Sequence, residues 1–441
     1  MPADLPDTPQ SPTVGRLATG RVTSPAARTP VWILNHYAVG PGMVGGTRHY
    51  ALARQLVSLG YDVTIFAADW NHLEKRRTTV GSRRNFTTEH VDGVRFVWLR
   101  TTPYWKNDWR RVLNILSYGA CALWHGLKTP TRIGLKRPAV IVGSSVHLLA
   151  VCVGRLLAWR HRTGFVMEVR DLWPQTAIDV GALSANGIPA RVLRMVERYL
   201  YRHSDRIITL LPFASEYICP LGVPQERVVW ISNGVDLSMY PPVEPKVDET
   251  GTFDIYFAGN HGHMDGLDVI LETAALLQRA GVGRIRFVLV GNGTEKQNLV
   301  ERSHQLGLTN VEFKDAVPRG QVLEILRNAD ACIIINHDLS LYRFGISSNK
   351  LFDYLAVGRP VILVGDVRGN IVEASGCGVT VKTCDPEQVA QACRQLLAMP
   401  PEARHQMGLC GREYVERQYD YRVLGSVLAA CVNAVSRTET G

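Results

Sequence analysis

The segment 344–363 contains residues whose types and spacing could hold a phosphate group. Ser347 and Ser348 are suitable N-caps for a short helix, which a following Gly-Arg-Pro sequence would end. The N-terminus of a helix presents unpaired N–H groups and about half a positive charge, and both favour a diphosphate. Lys350 and Asp353, three residues apart on the polar face, suit a phosphate and a sugar hydroxyl. The alternative is a surface helix on which this Lys and Asp pair weakly in solvent.

Alternating strands and helices surround this segment and must position it. A buried strand at 31–35, an amphipathic helix at 47–59 and a strand at 62–67 form a βαβ unit, and the pattern restarts at 253. Such alternation predicts an α/β protein with two facing, Rossmann-like, doubly wound domains, each built on a parallel sheet. Ligands of such sheets bind beyond the carboxyl ends of the strands, so we expect a site in the cleft between the domains.

Composition shifts divide the chain into five segments. We expect a disordered tail (1–30), a first Rossmann-like domain (31–232), a proline-containing hinge (233–251), a second Rossmann-like domain (252–415) and a C-terminal helix packing back on the first domain (416–441). The tail lacks the continuous apolar segment that a signal peptide contains. The most apolar long window, 139–159, contains polar residues and predicts a strand, a loop and a helix rather than a membrane span.

The charge of the chain is unevenly distributed. Residues 1–210 hold 28 Lys and Arg against 13 Asp and Glu, whereas residues 211–441 hold 21 against 27. A basic half indicates an anionic partner. A phospholipid surface fits better than nucleic acid, because no basic run is interleaved with stacking aromatics. Nine scattered cysteines without a CxxC pair indicate reduced thiols, and no cluster has metal-ligand spacing, so we expect neither a metal nor a cofactor.

The segment 102–128 is the strongest candidate for contact with a membrane. It combines tryptophans and leucines with basic residues, among them Trp105, Trp109, Lys106 and Arg110. Interfacial helices have this mixture. The alternative is a buried helix of the first domain with basic edges.

A glycine-rich loop follows the first strand. Gly40-Pro-Gly-Met-Val-Gly45 matches G-x-G-x-x-G, and Asp69 follows 24 residues after Gly45, which is the outline of a dinucleotide fingerprint. The context does not fit, because the first glycine comes several residues after the strand and Pro41 stiffens the turn. A mobile loop whose N–H groups approach a phosphate explains these residues better.

Six motifs, in order from about residue 31 to 435, resemble the GT-B glycosyltransferases of family four, the retaining family that builds cell-surface polysaccharides. They are LNHYAVGPGMVGGTRHYALARQLVSLGYDVTIFA at 34–67, EVRDLWPQT at 168–176, ISNGVDLSMY at 231–240, YFAGNHGHMDGLDVILETAALL at 256–277, FVLVGNGTEKQNL at 287–299 and SSNKLFDYLAVGRPVIL at 347–363. The resemblance implies a nucleotide-sugar donor held mainly by the second domain and an acceptor held by the first.

The family places two glutamates eight residues apart beside the donor. The second falls on Asp353, which suits ribose hydroxyls, and the first falls on Gly345, which has no side chain. Relatives also carry an Arg and a Lys after the first strand of the second domain, where this chain has Gly-Asn-His-Gly-His at 259–263. We therefore expect Lys350, or second Arg343, to neutralise the phosphates. The expected donor-binding residues are Gly45, Gly46, Gly259, Asn260, Gly291, Arg343, Ile346, Ser347, Ser348, Asn349, Lys350 and Asp353.

The resemblance also points to side chains of the first domain that take part in catalysis with Lys350. A lone histidine in an apolar run is more often a packed core residue, but the position of His147 matches a histidine that touches the donor sugar in relatives. Asp171, on a loop after a strand, could orient or deprotonate the acceptor hydroxyl. Its alternative is a salt bridge to Arg170 or a cap for the following turn.

These observations predict a metal-independent, retaining transfer of a hexose or N-acetylhexosamine from a UDP-sugar to a lipid-diphosphate-linked glycan. The expected location is cytoplasmic, peripheral to the inner face of the cell membrane. The competing hypotheses are a nucleotide-sugar epimerase of the same fold, a dinucleotide oxidoreductase, and a non-catalytic scaffold that binds a nucleotide-sugar without turnover. The absence of a glutamate at Gly345 favours the last of these.

Overall fold

The computed structural model describes residues 28–77, 85–128, 134–145, 147–241, 244, 251–337 and 340–436, except for the side chains of residues 319, 340 and 341. Most of the predicted tail, and residues 242–243 and 245–250 of the predicted hinge, lie outside the described residues. Two parallel sheets, one in each half of the chain, form the framework.

The first sheet contains eight strands in the order β10-β9-β8-β7-β1-β2-β6-β5. All neighbours are parallel except β5 and β6, which form an antiparallel edge pair. The central strands are apolar on both faces, as expected where helices cover both sides of a parallel sheet. Together with a small β3–β4 hairpin, the strands are β1 (Pro30–Leu34), β2 (Asp62–Ala68), β3 (Trp70–Asn71), β4 (Arg76–Arg77), β5 (Phe86–Val91), β6 (Val94–Leu99), β7 (Val140–Ser144), β8 (Gly164–Val169), β9 (Arg206–Thr209) and β10 (Val228–Trp230).

The helices of this half alternate with the strands. They are α1 (Arg48–Ser58), α2 (Trp109–Leu127), α3 (Leu148–His161), α4 (Gln175–Asp179), α5 (Ile188–Arg202) and α6 (Ser215–Ile218). The window 139–159 forms β7, a loop and the start of α3, as the sequence predicts. One face of the sheet is covered by α2, α3 and α5, and α1 lies on the other face.

The second sheet has six parallel strands in the order β13-β12-β11-β14-β15-β16. The strands are β11 (Phe253–Ala258), β12 (Ile285–Val290), β13 (Val311–Lys314), β14 (Ala331–Ile335), β15 (Val361–Val364) and β16 (Gly378–Val381). The helices are α7 (Leu267–Arg279), α8 (Lys296–Gln305), α9 (Val322–Leu326), α10 (Asn349–Val357), α11 (Ile371–Ser375), α12 (Pro386–Ala398), α13 (Pro401–Gln418) and α14 (Tyr421–Val435).

The last helix, α14, returns to the first domain and packs against α1. The hydroxyl of Tyr61 donates to the side chain of Asn433 at 2.6 Å, and Leu424, Leu428 and Val432 join the core of the first domain. The return begins after α13 ends at Gln418, two residues past the predicted start of this segment. Asp420 caps α14, because its side chain accepts a hydrogen bond from the backbone of the second helical residue.

Candidate active site

Predicted site residues lie at the carboxyl ends of strands in both sheets. In the first domain His147 and Asp171 follow β7 and β8, and in the second domain Gly259 and Gly291 follow β11 and β12. This is the edge of a doubly wound sheet at which ligands bind. The cleft expected from the sequence is therefore flanked by these residues.

The N-terminus of α10 presents backbone donors to this cleft. Ser348 is the N-cap, as predicted, but its side chain makes no capping hydrogen bond. Within the described part of the chain, the N–H groups of residues 346–349 donate to no protein acceptor. The Oγ of Ser347 accepts from the backbone of Asn233 at 2.8 Å and so ties the helix start to the segment that joins the domains. These donors and the helix dipole suit an anionic ligand.

Lys350 lies against the loop that follows β11. Its Nζ forms an ion pair with the carboxylate of Asp265 and lies 4.5 Å from the ring centroid of Phe257. A Cβ at Gly259 would overlap the Lys350 side chain, so any larger residue there would displace this lysine. The second oxygen of Asp265 accepts from the amide of Asn260 at 3.0 Å. The structure thus brings Gly259, Asn260 and Lys350 together.

The loop after β12 packs on the buried His261. A Cβ at Gly291 would overlap the carbonyl oxygen of Gly259 and lie 3.0 Å from Nε2 of His261, and a Cβ at Gly293 would overlap the backbone of His261. The ammonium of Lys296 donates to the carbonyl of Gly291 at 2.8 Å. Burial, reinforced by the charge of Lys296, lowers the pKa of His261 to about 4. The two loops therefore meet through glycines and a neutral imidazole.

Gly345, where the resemblance would place a glutamate, has no room for a side chain. Its φ is +85°, and a Cβ there would lie 2.5 Å from Cγ of Pro212 on the first domain. The neighbouring Phe213 donates from its backbone to the carbonyl of Phe344 at 3.2 Å. The two domains touch at this point, and a glutamate would separate them.

We expect Gly345→Ala to lower thermal stability and weaken donor binding more than Gly307→Ala does. Both glycines have positive φ, which costs an L-residue about 1–2 kcal/mol, but no atom lies within 4 Å of a Cβ at Gly307. The difference in melting temperature and in donor affinity measures the contact with Pro212. Equal losses in the two variants would contradict this explanation of the missing glutamate.

Asp353 and Arg343 occupy different surroundings from Lys350. Asp353 is only 7% exposed, and its Oδ1 accepts from the hydroxyl of Tyr240 at 2.7 Å. The exposed guanidinium of Arg343 lies over the ring of Phe344, 4.6 Å from its centroid. The carboxylate predicted for ribose is thus largely below the surface.

His147 is the N-cap of α3 and pairs with a second histidine. The backbone N–H of Ala150 donates to its Nδ1 at 3.2 Å, so the proton of the neutral ring is on Nε2, which donates to Nδ1 of His36 at 2.7 Å. The ring of His36 stacks on that of Tyr118. Burial, with a contribution from the charge of Arg111, lowers the pKa of His147 to about 4. This pair is therefore neutral near pH 7.

The histidine pair predicts a pH dependence of stability. An unfolded histidine has a pKa of about 6.5, whereas that of the folded His147 is about 4. Between these pH values the unfolded chain binds more protons than the folded one, so the free energy of unfolding decreases as the pH is lowered from about 6.5 to 4. Urea titrations should show a shallower fall for His147→Asn, which keeps an N-cap, than for the wild type. His304→Gln, on the exposed surface of α8, is the control. An unchanged slope in His147→Asn would contradict the assignment.

Asp171 is exposed on the loop after β8, next to Arg170. Desolvation by the surrounding walls raises the pKa of its carboxyl above the ordinary value, and the charge of Arg170 opposes this shift. The backbone of Arg170 donates to Oγ of Ser145 at 3.1 Å, which holds the loop against the end of β7. An accessible carboxylate with a raised pKa is suited to proton transfer or to binding a hydroxyl.

Two family models match this chain. The "Glycosyl transferase 4-like domain" matches residues 45–234, and "Glycosyl transferases group 1" matches residues 252–399. Together they span more than half of the chain. The chain belongs to the GT-B glycosyltransferases.

Similarity to individual proteins agrees with this assignment. Probable glycosyltransferase WbjE of Pseudomonas aeruginosa is 21% identical over 306 residues, which cover 66% of this chain and 74% of the relative. Sucrose-phosphate synthase from Thermosynechococcus elongatus superposes with a TM-score of 0.67 at 16% identity, covering 92% of this chain and 98% of the other. Anabaena Alr3699/HepE, in complex with UDP and glucose, superposes with a TM-score of 0.64 at 13% identity, covering 92% of this chain and 99% of the other.

A buried charge network beneath the first-domain wall was not predicted. Glu168 accepts from Nε of Arg48 at 3.0 Å and from Nε2 of His49 at 2.5 Å. Burial alone would raise the pKa of the Glu168 carboxyl, but its interactions with His49 and Arg48 hold the pKa well below the ordinary value. Arg48 also donates to the carbonyls of Ile231 and Ser232. The network fixes the segment joining the two domains of the glycosyltransferase to its first sheet.

The predicted glycine loop lies between β1 and α1. Gly45 has a φ of +143° and faces Val39, whereas nothing surrounds a Cβ at Gly46. The amide of Asn71 donates to the carbonyl of Val44 at 2.8 Å and anchors the loop from the β3–β4 hairpin. The loop is thus fixed on one side and open at Gly46.

The part of the chain that the structure describes contains neither a metal-ligand cluster nor a helix suited to span a membrane. In that part of the chain no three His, Cys, Asp or Glu side chains are grouped so that they could hold a metal ion. Nor does any helix there combine the length and apolarity needed to cross a bilayer.

Proposed function

We propose that this glycosyltransferase moves a hexose or N-acetylhexosamine from a UDP-sugar to a lipid-linked glycan, with retention of configuration. The observation that carries the proposal is the N-terminus of α10 with Lys350 beside it. Its open N–H groups bind the diphosphate, and Lys350 leaves Asp265 to neutralise the charge. UDP as the nucleotide is supported by the UDP complex of HepE, a structure of the same fold.

The proposed step is a front-side displacement. The acceptor hydroxyl oxygen forms a bond to the anomeric carbon from the face on which UDP leaves. The bond from that carbon to the β-phosphate oxygen breaks, and its electron pair stays on the phosphate. The hydroxyl proton passes to the departing phosphate, while Asp171 orients the hydroxyl and His147 contacts the donor sugar. Lys350 stabilises the diphosphate as its charge develops, without a metal ion.

The acceptor is proposed to be lipid-linked and to be met at the inner face of the cell membrane. The basic first domain supports this, because its excess of Lys and Arg suits a diphosphate and anionic lipids. Burial lowers the pKa of His72 to about 4, and the positive charges of Lys75, Arg111 and Arg170 add to this shift. The first-domain wall is therefore electropositive beside the proposed acceptor position.

A binding panel followed by a transfer assay tests this function. Thermal shift is measured against UDP-, GDP-, ADP- and TDP-sugars without added metal, with NAD and NADP as controls. A ligand that binds only the folded state raises stability by about 2.7 kcal/mol at a hundred times its Kd. We expect a shift with a UDP-sugar, and UDP release that depends on a lipid-diphosphate-linked glycan. Transfer to a hexose phosphate instead would overturn the acceptor assignment, and release without any acceptor would favour an epimerase or hydrolase.

A further inference from the structure

Three adjacent helices of the first domain expose an unusual number of large apolar side chains. The helix α3 packs between α2 and α5, and all three cover the same face of the sheet. Of the 19 large hydrophobic residues that are exposed in the described chain, 12 lie on these three helices. They are Trp109, Val112, Leu113, Leu116, Trp124, Leu127, Leu156, Trp159, Ile188, Val192, Met195 and Tyr199.

The helix α5 carries an apolar stripe on its outer side in addition to the apolar residues, among them Leu193 and Val196, that pack against the core. Ile188, Val192, Met195 and Tyr199 recur every three or four residues and form one stripe. Ile188 is 76% exposed and Met195 65% exposed, so this stripe faces solvent. The buried side carries Glu197, whose pKa burial raises to about 7. An apolar stripe on the outer side needs a partner.

The packing of α2 explains why its large residues are outside. Gly119 and Gly126 face α3, where a Cβ would lie 2.8 Å from Leu149 and 2.5 Å from Leu157. The inner face therefore combines small residues with Asn114, Tyr118 and His125. The large apolar residues Trp109, Leu113 and Leu116 are left on the outer face. The inner face is thus that of a packed helix of the first domain, and the membrane interpretation of 102–128 stays a prediction for the outer face.

The same three helices are strongly basic. They contain eight arginines and one acidic residue, the buried Glu197. Arg191, Arg194 and Arg198 are exposed beside the apolar stripe of α5. An alternative role for basic residues is to offset the helix dipole in the last turn, but this role applies only to the few arginines at the C-terminal ends of these helices. The combination of exposed tryptophan, aliphatic residues and arginine is that of an interfacial surface.

A cavity of about 860 Å³ lies where the three helices end. Leu127 of α2, Trp159 of α3 and His203 after α5 line it, together with Arg155, Arg160 and Arg162. The buried Nε of Arg155 has no hydrogen-bond partner among the described residues. A concave, arginine-lined cavity beside an exposed tryptophan is suited to a phosphate headgroup whose chains extend past the indole.

We propose that the outer face of α2, α3 and α5 docks on the surface of an anionic phospholipid bilayer. The tryptophans lie among the headgroups, and the arginines pair with lipid phosphates. This surface extends the proposed function, since it places the edge of the cleft at the membrane. Trp105, just before α2, has its ring centroid 5.3 Å from that of Trp70. Trp70 in turn lines the same small pocket as His36. A second copy of the chain is the weaker occupant, because two such faces would oppose arginines to arginines.

Co-sedimentation with vesicles tests the surface. The wild type is compared with Ile188→Ser/Met195→Ser, Arg191→Gln/Arg198→Gln and the control Leu306→Ser, an exposed leucine of the second domain. With phosphatidylglycerol in phosphatidylcholine, we expect wild-type binding that salt weakens. Replacing the two arginines should weaken vesicle binding about thirtyfold. Replacing Ile188 and Met195 by serine should weaken binding at least as much, and the control substitution should leave it unchanged.

Other results would overturn the proposal. The proposal is wrong if the Ile188→Ser/Met195→Ser variant binds vesicles as well as the wild type does, or if the wild type binds no vesicles. It is also wrong if the wild type binds pure phosphatidylcholine vesicles as strongly as those that contain phosphatidylglycerol. A dimer in sedimentation velocity that the apolar variant abolishes, without vesicle binding, would assign the face to a second copy. Thermal shift with the UDP-sugar is measured on every variant. If vesicles bind but no nucleotide-sugar does, the proposed function fails while this surface stands.

Discussion

Lys350→Ala should reduce kcat for sugar transfer by about a hundredfold to a thousandfold, the effect of removing one preorganised donor from a developing anion. Lys350 is the cation that lies between the N-terminus of α10 and the loop after β11. Its loss leaves the departing diphosphate with backbone donors only. Steady-state rates with saturating acceptor, and donor affinity from thermal shift, measure the effect.

The controls separate charge from folding. Lys382→Ala removes an exposed lysine of the same domain and should change neither quantity. Lys350→Arg should recover part of the rate, because it restores a cation in a different shape. If Lys350→Ala binds donor and turns over as the wild type does, the phosphate assignment is wrong.

Glu168→Ala should destabilise the first domain by about 3–5 kcal/mol, the cost of breaking one partner out of a buried ion pair. Arg48 would remain buried without its carboxylate, and its bonds to the carbonyls of Ile231 and Ser232 would loosen. The melting temperature should fall by about 10 °C. Because the folded pKa of Glu168 is depressed, this stabilisation is present above pH 4.5 and is lost as pH falls through the folded pKa.

Two further variants show whether the loss of stability in Glu168→Ala comes from the buried ion pair. Glu312→Ala breaks an exposed pair with Arg286, which should cost about 0–1 kcal/mol. Glu168→Gln keeps the shape and should retain part of the stability. A Glu168→Ala loss no larger than that of Glu312→Ala would show that the buried network does not fix the interdomain segment.

Local patterns were sufficient to predict the helix at the candidate donor site. The sequence of α10 contains its own N-cap and its stop signal, and Lys350 falls in the first turn, so the helix and its cation follow from a short stretch of chain. The alternation of strands and helices similarly predicted two parallel sheets. The family assignment agrees with the motifs quoted for it.

The contacts that were missed join residues far apart in sequence. Nothing near Gly345 indicates that Pro212 closes the space a glutamate would need, since that contact forms only when the domains meet. Glu168 lies in a motif of mixed polarity, and its partners are 119 and 120 residues away. In α5, apolar residues occur on both the buried and the exposed side, and their spacing alone does not say which side is outside. Three-dimensional packing decides these features.

The most direct test is a transfer reaction followed by NMR of the product. The enzyme, a UDP-α-sugar and a lipid-diphosphate-linked glycan are incubated without added metal on anionic vesicles, and the new anomeric proton is observed. The account predicts UDP release that requires the acceptor and a product with the α configuration of the donor. A β-linked product, or UDP-sugar consumed with no glycosidic bond formed, would contradict it.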